Sequence, residues 1–579
     1  MNLIEALEVL KQSVPAGSPS IRVALACGFT PLHLQTFLTA HLRQRMSRHA
    51  IEIVPGLFGD LIGNIERAVT AKSDVLAIVM EWADLDARLG TRTLGGWRAE
   101  NLPDIVNSVN LSLSRIAQAL RKSSGSFPVC ICLPTLPLPP LFATATRQAS
   151  AEELQLRSSV ACFATDLAKE PFVRILSSQQ LDEISATANR FNLQSELTAG
   201  FPYQLPHACA IADLLAALIH NPSPKKGLIT DLDDTVWAGI LGEVGVEGIS
   251  WDLDRHSHMH GVYQQFLGSL ASAGVLIGIA SKNDPARVAQ ALERKDLILP
   301  REKVFPVEAH WSPKSESAAR ILKTWNIGAD SVVFIDDSAM EVAEVKTAFP
   351  EVQCLVFPRN DPAAIWNLLK QLRDLFGKST VSPEDALRMD SIRAAGALRE
   401  AVTGDASSAD DFLQNADAEI EFNFTKQPRD TRAFELINKT NQFNLNGKRL
   451  TEAAWHDYLS DPASFLMTVS YEDKYGPLGK IAVLLGTARE QRVSVDFWVM
   501  SCRAFSRRIE HQCLKQLCER FDASEIIFDY QATPRNGPLQ EFFAGLAGAP
   551  LPPQLRVSRS KIREKSPALF HRVKELVNA

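Results

Sequence analysis

The apolar run Gly227-Leu-Ile-Thr ends in Asp231-Leu-Asp233-Asp-Thr235. That pattern places two carboxylates at the carboxyl edge of a parallel sheet, where open α/β sheets bind ligands. Asp231 is suited to attack phosphorus and form an aspartyl-phosphate, which splits one hard displacement into two easier ones. Asp233 is placed to protonate the leaving oxygen and later to activate water. Two carboxylates repel a phosphate, so such a site needs cations nearby. Three later strand ends supply the rest in order. Ser281 closes Ile277-Gly-Ile-Ala-Ser281 and offers a hydroxyl, Lys314 in His310-Trp-Ser-Pro-Lys314 offers a fixed charge, and Asp336-Asp337 closes Val332-Val-Phe-Ile. Thr235, Ser281 and Lys314 are the candidate phosphate ligands. Asp231, Asp233 and Asp336 are the candidate oxygen donors to Mg²⁺, with Asp337 orienting them. Taken singly, each of these acids reads as a helix cap or turn former. Four motifs in one order, each behind an apolar strand, read as a site.

The elements that position them belong to the second of three blocks. Residues 1–222 alternate short β-branched runs, such as Val75 to Met80 and Val129 to Leu133, with helical stretches such as Leu111 to Arg121. That alternation predicts an α/β layer with a parallel sheet. The proline-rich Leu133 to Leu141 must be a loop beyond a strand. Residues 223–378 repeat the alternation and predict a second doubly wound domain. Residues 379–417, rich in Ala, Ser, Asp and Glu, read as a linker. Residues 418–579 place consecutive strands without intervening helices and predict an α+β domain. The fold class expected is therefore multidomain α/β, with two doubly wound domains followed by an α+β domain.

The four motifs match those of the haloacid dehalogenase superfamily. Trp237 and Gly242-Glu243-Val244-Gly245 behind the first motif, with Ser281-Lys-Asn-Asp284 and Ile335-Asp-Asp-Ser338, resemble the FkbH-like subfamily (subfamily IIIC). Asn438-Lys-Thr-Asn-Gln-Phe-Asn444 and Ser501-Cys-Arg503 resemble anchors of the same family in the third block. Glu81 to Gly90 resembles the amino-terminal region of its long members. The resemblance implies Mg²⁺-dependent conversion of 1,3-bisphosphoglycerate, or a similar acyl phosphate, into a glyceryl-type thioester on a phosphopantetheinylated acyl carrier protein in secondary-metabolite biosynthesis. A plain phosphomonoesterase and a non-catalytic carrier-protein scaffold are the alternatives.

Thioester chemistry requires a thiol, either the carrier's own or one on the enzyme. Cys502, beside Arg503, Arg507 and Arg508 and ahead of a helix, is the enzyme's candidate, because cations and a helix N-terminus lower a thiol pKa. The competing reading is a small packing residue. The third block also resembles a GNAT-like acyltransferase fold. Larger residues stand where that fold's phosphate turn has glycines, in Arg503 to Arg508, which argues against acetyl-CoA and leaves a phosphopantetheine arm. Asn438, Asn441, Gln442 and Asn444 are candidates for holding the acyl group or the pantetheine amides, and equally for capping and turn formation. The basic stretch Arg556 to Lys574 is a solvated face or a docking surface for an acidic carrier. In the first block, Cys27-Gly-Phe-Thr30 and Gly56-Leu-Phe-Gly-Asp60 resemble an SGNH-hydrolase layout without its nucleophilic serine, so a degenerate domain is expected.

Net charge is −6 across 579 residues, from 61 basic and 67 acidic side chains, which excludes a strongly basic nucleic-acid binder. Nine scattered cysteines without a Cys-x-x-Cys pair read as reduced thiols. No basic, then apolar, leader stands at Met1 and no apolar run reaches membrane-spanning length, so a cytoplasmic protein without nucleic-acid or membrane partners is expected.

Overall fold

The computed structural model describes the chain apart from residues 16, 72, 123–126, 141–146, 379–380, 382–384, 386–391, 394–412, 475, 490, 502–503, 506, 549–550, 553–554 and 577–579. Most of the expected linker lies outside the described residues, and so does Cys502. Two compact units form, Met1–Pro222 with Leu450–Tyr458, and Ser223–Arg449 with Leu459–Ala579.

The first unit is built on five parallel strands, β1 (Ser20–Ala26), β2 (Ala50–Pro55), β3 (Val75–Val79), β4 (Val129–Cys132) and β5 (Val173–Ile175), in the order β2-β1-β3-β4-β5. Every residue of β3 and β4 is buried, as expected where helices cover both faces of a parallel sheet. The short segment Leu450–Tyr458 belongs to this unit, where Glu452 lies 3.9 Å from Arg174.

In the second unit, β6 (Gly227–Thr230), β7 (Leu276–Ser281), β8 (Val304–Ala309), β9 (Val332–Asp336) and β10 (Gln353–Val356) form a parallel sheet in the order β10-β9-β6-β7-β8. The helix Lys314–Trp325 crosses one face and buries Trp325 against it. Gly227 and Gly278, on neighbouring strands, make room for that ring. A β-carbon at either would come within 2.5 or 2.8 Å of it.

The remaining strands are β11 (Glu419–Asn423), β12 (Phe443–Asn444), β13 (Ser464–Asp473), β14 (Gly476–Arg489), β15 (Arg492–Met500), β16 (Glu525–Phe528), β17 (Leu555–Ser558) and β18 (Arg572–Leu576). They form one mixed sheet, β17-β16-β15-β14-β13-β11-β18, with β12 added on β15. Only β11/β18 and β15/β16 run parallel. The architecture is thus multidomain α/β, two parallel sheets followed by a mixed one. Among the described residues, no helix is long and apolar enough to cross a membrane.

Candidate phosphoryl-transfer site

β6 and β9 are hydrogen-bonded neighbours in register, so their last residues emerge side by side. Asp231 extends the ladder by donating its N–H to Ile335 O at 3.0 Å, and Asp336 ends β9. Two helices then begin over this edge. Lys314 is the first residue of one, and Glu341 lies in the first turn of the other, Ala339–Ala348, whose cap Ser338 accepts the Glu341 N–H at 3.4 Å. Lys314 Nζ lies 2.8 Å from Asp231 Oδ1, 2.6 Å from Asp336 Oδ2 and 2.8 Å from Glu341 Oε2. Lys282 holds the other Glu341 oxygen at 2.8 Å.

Burial sets the electrostatics. It pushes the Asp231 carboxyl up to about 6 despite Lys314, and Asp336 up to about 7 with Asp231 repulsion adding to it. The Lys314 ammonium loses water as well, yet the attraction of Asp231 and Asp336 outweighs that loss and raises its pKa. Glu341 is held below its usual range, because Lys282 and Lys314 overcome the effect of its burial. Three carboxylates thus share two ammonium groups in a site where unbalanced charge is costly.

The loop after β6 fixes the remaining acids. Asp233 Oδ1 accepts from Trp237 Nε1 at 3.0 Å and Leu241 N at 3.2 Å, while Oδ2 accepts from Asn283 Nδ2 at 3.0 Å. Asn283 also donates to Ser281 Oγ at 3.0 Å, which ties the Asp-x-Asp motif to the end of β7. Asp234 takes a left-handed turn, φ 49°, and accepts from Gly239 N. Arg359 bridges Asp234 and Asp337 at 2.8 and 3.0 Å. His260 holds the loop from below through Thr235 O.

The residues brought together therefore differ from the expected set. Asp231, Asp336 and Lys314 converge. The Asp233 carboxylate, expected among the metal donors, is turned toward Trp237 and Asn283 by three N–H donors. Asp337 pairs with Arg359 at the rim. Glu341 takes the third place in the acid cluster.

These residues fit a divalent cation. Oxygens of Asp231, Asp336 and Glu341 lie within 4.8 Å of one another, a set of hard donors of the kind Mg²⁺ prefers. Asp231 Oδ1, outside its ion pair with Lys314, and Thr235 Oγ1 are buried without a hydrogen bond. A phosphate and its counter-ion would satisfy both.

No family model and no curated protein matches this chain. A solved structure does. The N-terminal part of protein BF1531 from Bacteroides fragilis, containing a phosphatase domain complexed with Mg, aligns at TM-score 0.52 and 19% identity, over 66% of this chain and 100% of that one. At this identity the likeness is one of fold. The salicylyl-acyltransferase SsfX3 from a tetracycline biosynthetic pathway aligns at TM-score 0.22 and 11% identity, over 36% of this chain and 56% of its own, too loosely to argue from.

The other candidate residues are used in different ways. Asn444 is buried and spends its side chain on its own turn, donating to Thr440 O and accepting from Asn446 N and Gly447 N. Asn438 donates to Phe434 O within its helix. Asn441 and Gln442, by contrast, line a pocket together with Ser501, which directly precedes Cys502. Cys502 itself is outside the described residues. In the first unit, Cys27 is buried, its Sγ donates to Phe29 O, and desolvation pushes the thiol far up, the condition of an inert cysteine.

Proposed function

We propose that this chain is a Mg²⁺-dependent phosphatase and acyltransferase of the haloacid dehalogenase type, FkbH-like, that loads a glyceryl-type unit from an acyl phosphate onto an acyl carrier protein. The observation that carries the phosphoryl half is Lys314 seated among Asp231, Asp336 and Glu341 at the carboxyl edge of a parallel sheet. An Asp231 carboxylate oxygen forms the bond to phosphorus, and the leaving oxygen departs with a proton from Asp233. Asp233 then takes a proton from water, whose oxygen attacks phosphorus and frees both phosphate and Asp231. Lys314, Ser281 and Thr235 orient the phosphate oxygens. Asp231, Asp336 and Glu341 would hold Mg²⁺, which would supply charge neutralisation. The acyl half pairs an acyl-phosphate carbonyl with a thiol. Sulfur bonds to the carbonyl carbon as the carbonyl C–O bond to phosphate breaks, and phosphate leaves with the thiol's proton. The thiol is the carrier's phosphopantetheine, or it is Cys502, whose acyl group then passes to the phosphopantetheine sulfur as the Cys502 thiol is regenerated.

The test is incubation with Mg²⁺, 1,3-bisphosphoglycerate and a phosphopantetheinylated carrier, following phosphate release and carrier mass. Release with loading is expected. Release alone reduces the reading to a phosphomonoesterase, and neither event leaves a carrier scaffold. Full loading by Cys502→Ser removes the enzyme thiol from the reaction.

A further inference from the structure

Two helices of the first unit, Leu32–Arg45 and Leu205–His220, meet through side chains one turn apart, and so on one face of each. His41 and Arg45 come from the first, Cys209 and Asp213 from the second. His41 Nε2 lies 3.3 Å from Cys209 Sγ, and His41 Nδ1 lies 3.2 Å from Asp213 Oδ1. Arg45 holds that same carboxylate oxygen at 2.7 Å. Sulfur, imidazole and carboxylate thus follow one another in the order of a nucleophile, its base and the group that orients the base. Among the described residues, Cys209 is the one cysteine within hydrogen-bond reach of an imidazole.

Charge decides where the protons lie. An ionised Asp213 can only accept, so the neutral ring carries its hydrogen on Nδ1 and turns the Nε2 lone pair toward sulfur. Burial holds the His41 imidazole below its usual range against the pull of Asp213, and Arg45 adds to that effect. Burial also raises the Cys209 thiol. The resting pair is therefore a neutral thiol beside a neutral imidazole, with the thiol hydrogen shared between Nε2 and Met1 O, 3.0 Å from sulfur. A buried thiol with nothing to take its proton is inert. Here a base stands ready as sulfur attacks, and Asp213 stabilises the imidazolium that forms. Space then sets what can be attacked. Cys209 is only 8% exposed, which admits a reagent of two heavy atoms and shuts out a larger one.

We infer that Cys209 is a modification site, oxidised by hydrogen peroxide to a sulfenic acid with His41 as general base and Asp213 as positioning residue. His41 Nε2 takes the thiol proton as Sγ bonds to one peroxide oxygen. The O–O bond breaks with its electron pair on the other oxygen, which receives that proton and leaves as water. Sulfur gives up two electrons and the peroxide takes them, the first and reversible step of thiol oxidation. The site stands apart from the phosphoryl-transfer reading and does not depend on it.

Brief exposure of the full chain to hydrogen peroxide tests this. Catalase ends the reaction, the chain is unfolded in dimedone, and peptide mass spectrometry reads the trapped sulfenic acid at each cysteine. The exposed Cys162 serves as internal reference. Cys209 should be oxidised about tenfold faster than Cys162 or more. His41→Gln should lower the Cys209 rate about tenfold, with Cys162 and the circular dichroism spectrum unchanged. Asp213→Asn should lower it severalfold, and Asp213→Glu should restore part of that loss, a rescue that a merely structural carboxylate would not give. The Asp213 side chain is 40% exposed, so these two variants carry the test if His41→Gln does not fold. Cys209 oxidised no faster than Cys162 would overturn the proposal. So would a Cys209 rate indifferent to His41→Gln or to Asp213→Asn.

Discussion

Both parallel sheets of this chain carry buried carboxylates just beyond their carboxyl edges, and they are satisfied in opposite ways. In the second unit, Asp231, Asp336 and Glu341 share Lys314, and the Asp231 and Asp336 carboxyls are pushed up to about 6 and 7. In the first unit, Glu81 follows β3 and, among the described residues, pairs with no cation. Its oxygens accept from Thr135 N and Oγ1, Leu136 N and Tyr203 OH at 2.6–3.2 Å, and burial raises its pKa. Thr135 Oγ1 is also 2.9 Å from His207 Nε2, whose other nitrogen meets Ser185 Oγ, and burial takes that imidazole down to about 3. A carboxylate ringed by neutral donors is complete without a ligand, whereas carboxylates gathered round one ammonium become complete by taking up a cation and a phosphate. The same place in the same kind of sheet thus holds a closed network of neutral donors in one unit and an acid cluster open to a cation in the other.

The sharpest break in the comparison is Asp231→Asn. Removing the proposed nucleophile while keeping its shape should lower Mg²⁺-dependent phosphate release from p-nitrophenyl phosphate by roughly 10³-fold or more. Full release by the variant would make this edge as inert as that of the first unit. Glu341→Gln should act on the cation instead, raising the Mg²⁺ concentration for half-maximal release by roughly 10–100-fold. An unchanged Mg²⁺ titration would return Glu341 to the role of a helix-cap residue.

Glu341 marks the limit of what the sequence discloses about this site. Asp231 and Asp336 were legible because each ends an apolar strand, and parallel pairing of β6 with β9 necessarily brings strand ends together. Glu341 was hidden because Ser338-Ala-Met-Glu341 is also the pattern of a capped helix start, and only the packing of that helix beside Lys314 turns its carboxylate inward. The Asp233 side chain depends on the indole of Trp237 reaching back four residues, a contact that no spacing rule encodes. Leu450–Tyr458 leaves its sequence neighbours for the first unit, where Glu452 meets Arg174, and local periodicity carries no trace of that choice. The alternation of layers was readable, while the strand orders within the sheets emerged only from the structure. The directions of individual polar side chains were not readable either.

On the architectural side, Thr135→Val should leave phosphate release unchanged and lower stability by about 1–3 kcal/mol, because it strips a donor from Glu81 and a partner from His207. A thermal midpoint equal to that of the unmodified chain would show that the network contributes nothing. A fall in phosphate release with the fold intact would assign the first unit a part in the chemistry.

The smallest effect concerns Asp84, one helical turn beyond Glu81. It accepts the Glu81 N–H at 2.8 Å and packs so closely on Gly28 that a β-carbon there would lie 1.8 Å from its oxygen. Burial, with the repulsion of Glu81, pushes its carboxyl up to about 7 from 3.8. A folded-state pKa above the unfolded value means that the folded chain binds the extra proton between those limits. The associated stabilisation is therefore complete below about pH 4 and is lost as pH rises through 7. Asp84→Asn cannot ionise and should flatten the fall in thermal midpoint across that window. The amide keeps one acceptor where the carboxylate had two, at a cost of about 1 kcal/mol, so the slope against pH carries the information and the absolute midpoint does not. Parallel curves for the two proteins would mean that Asp84 stays ionised in the fold, and the first sheet's edge would then hold an unpaired charge of the kind that the second answers with Lys314.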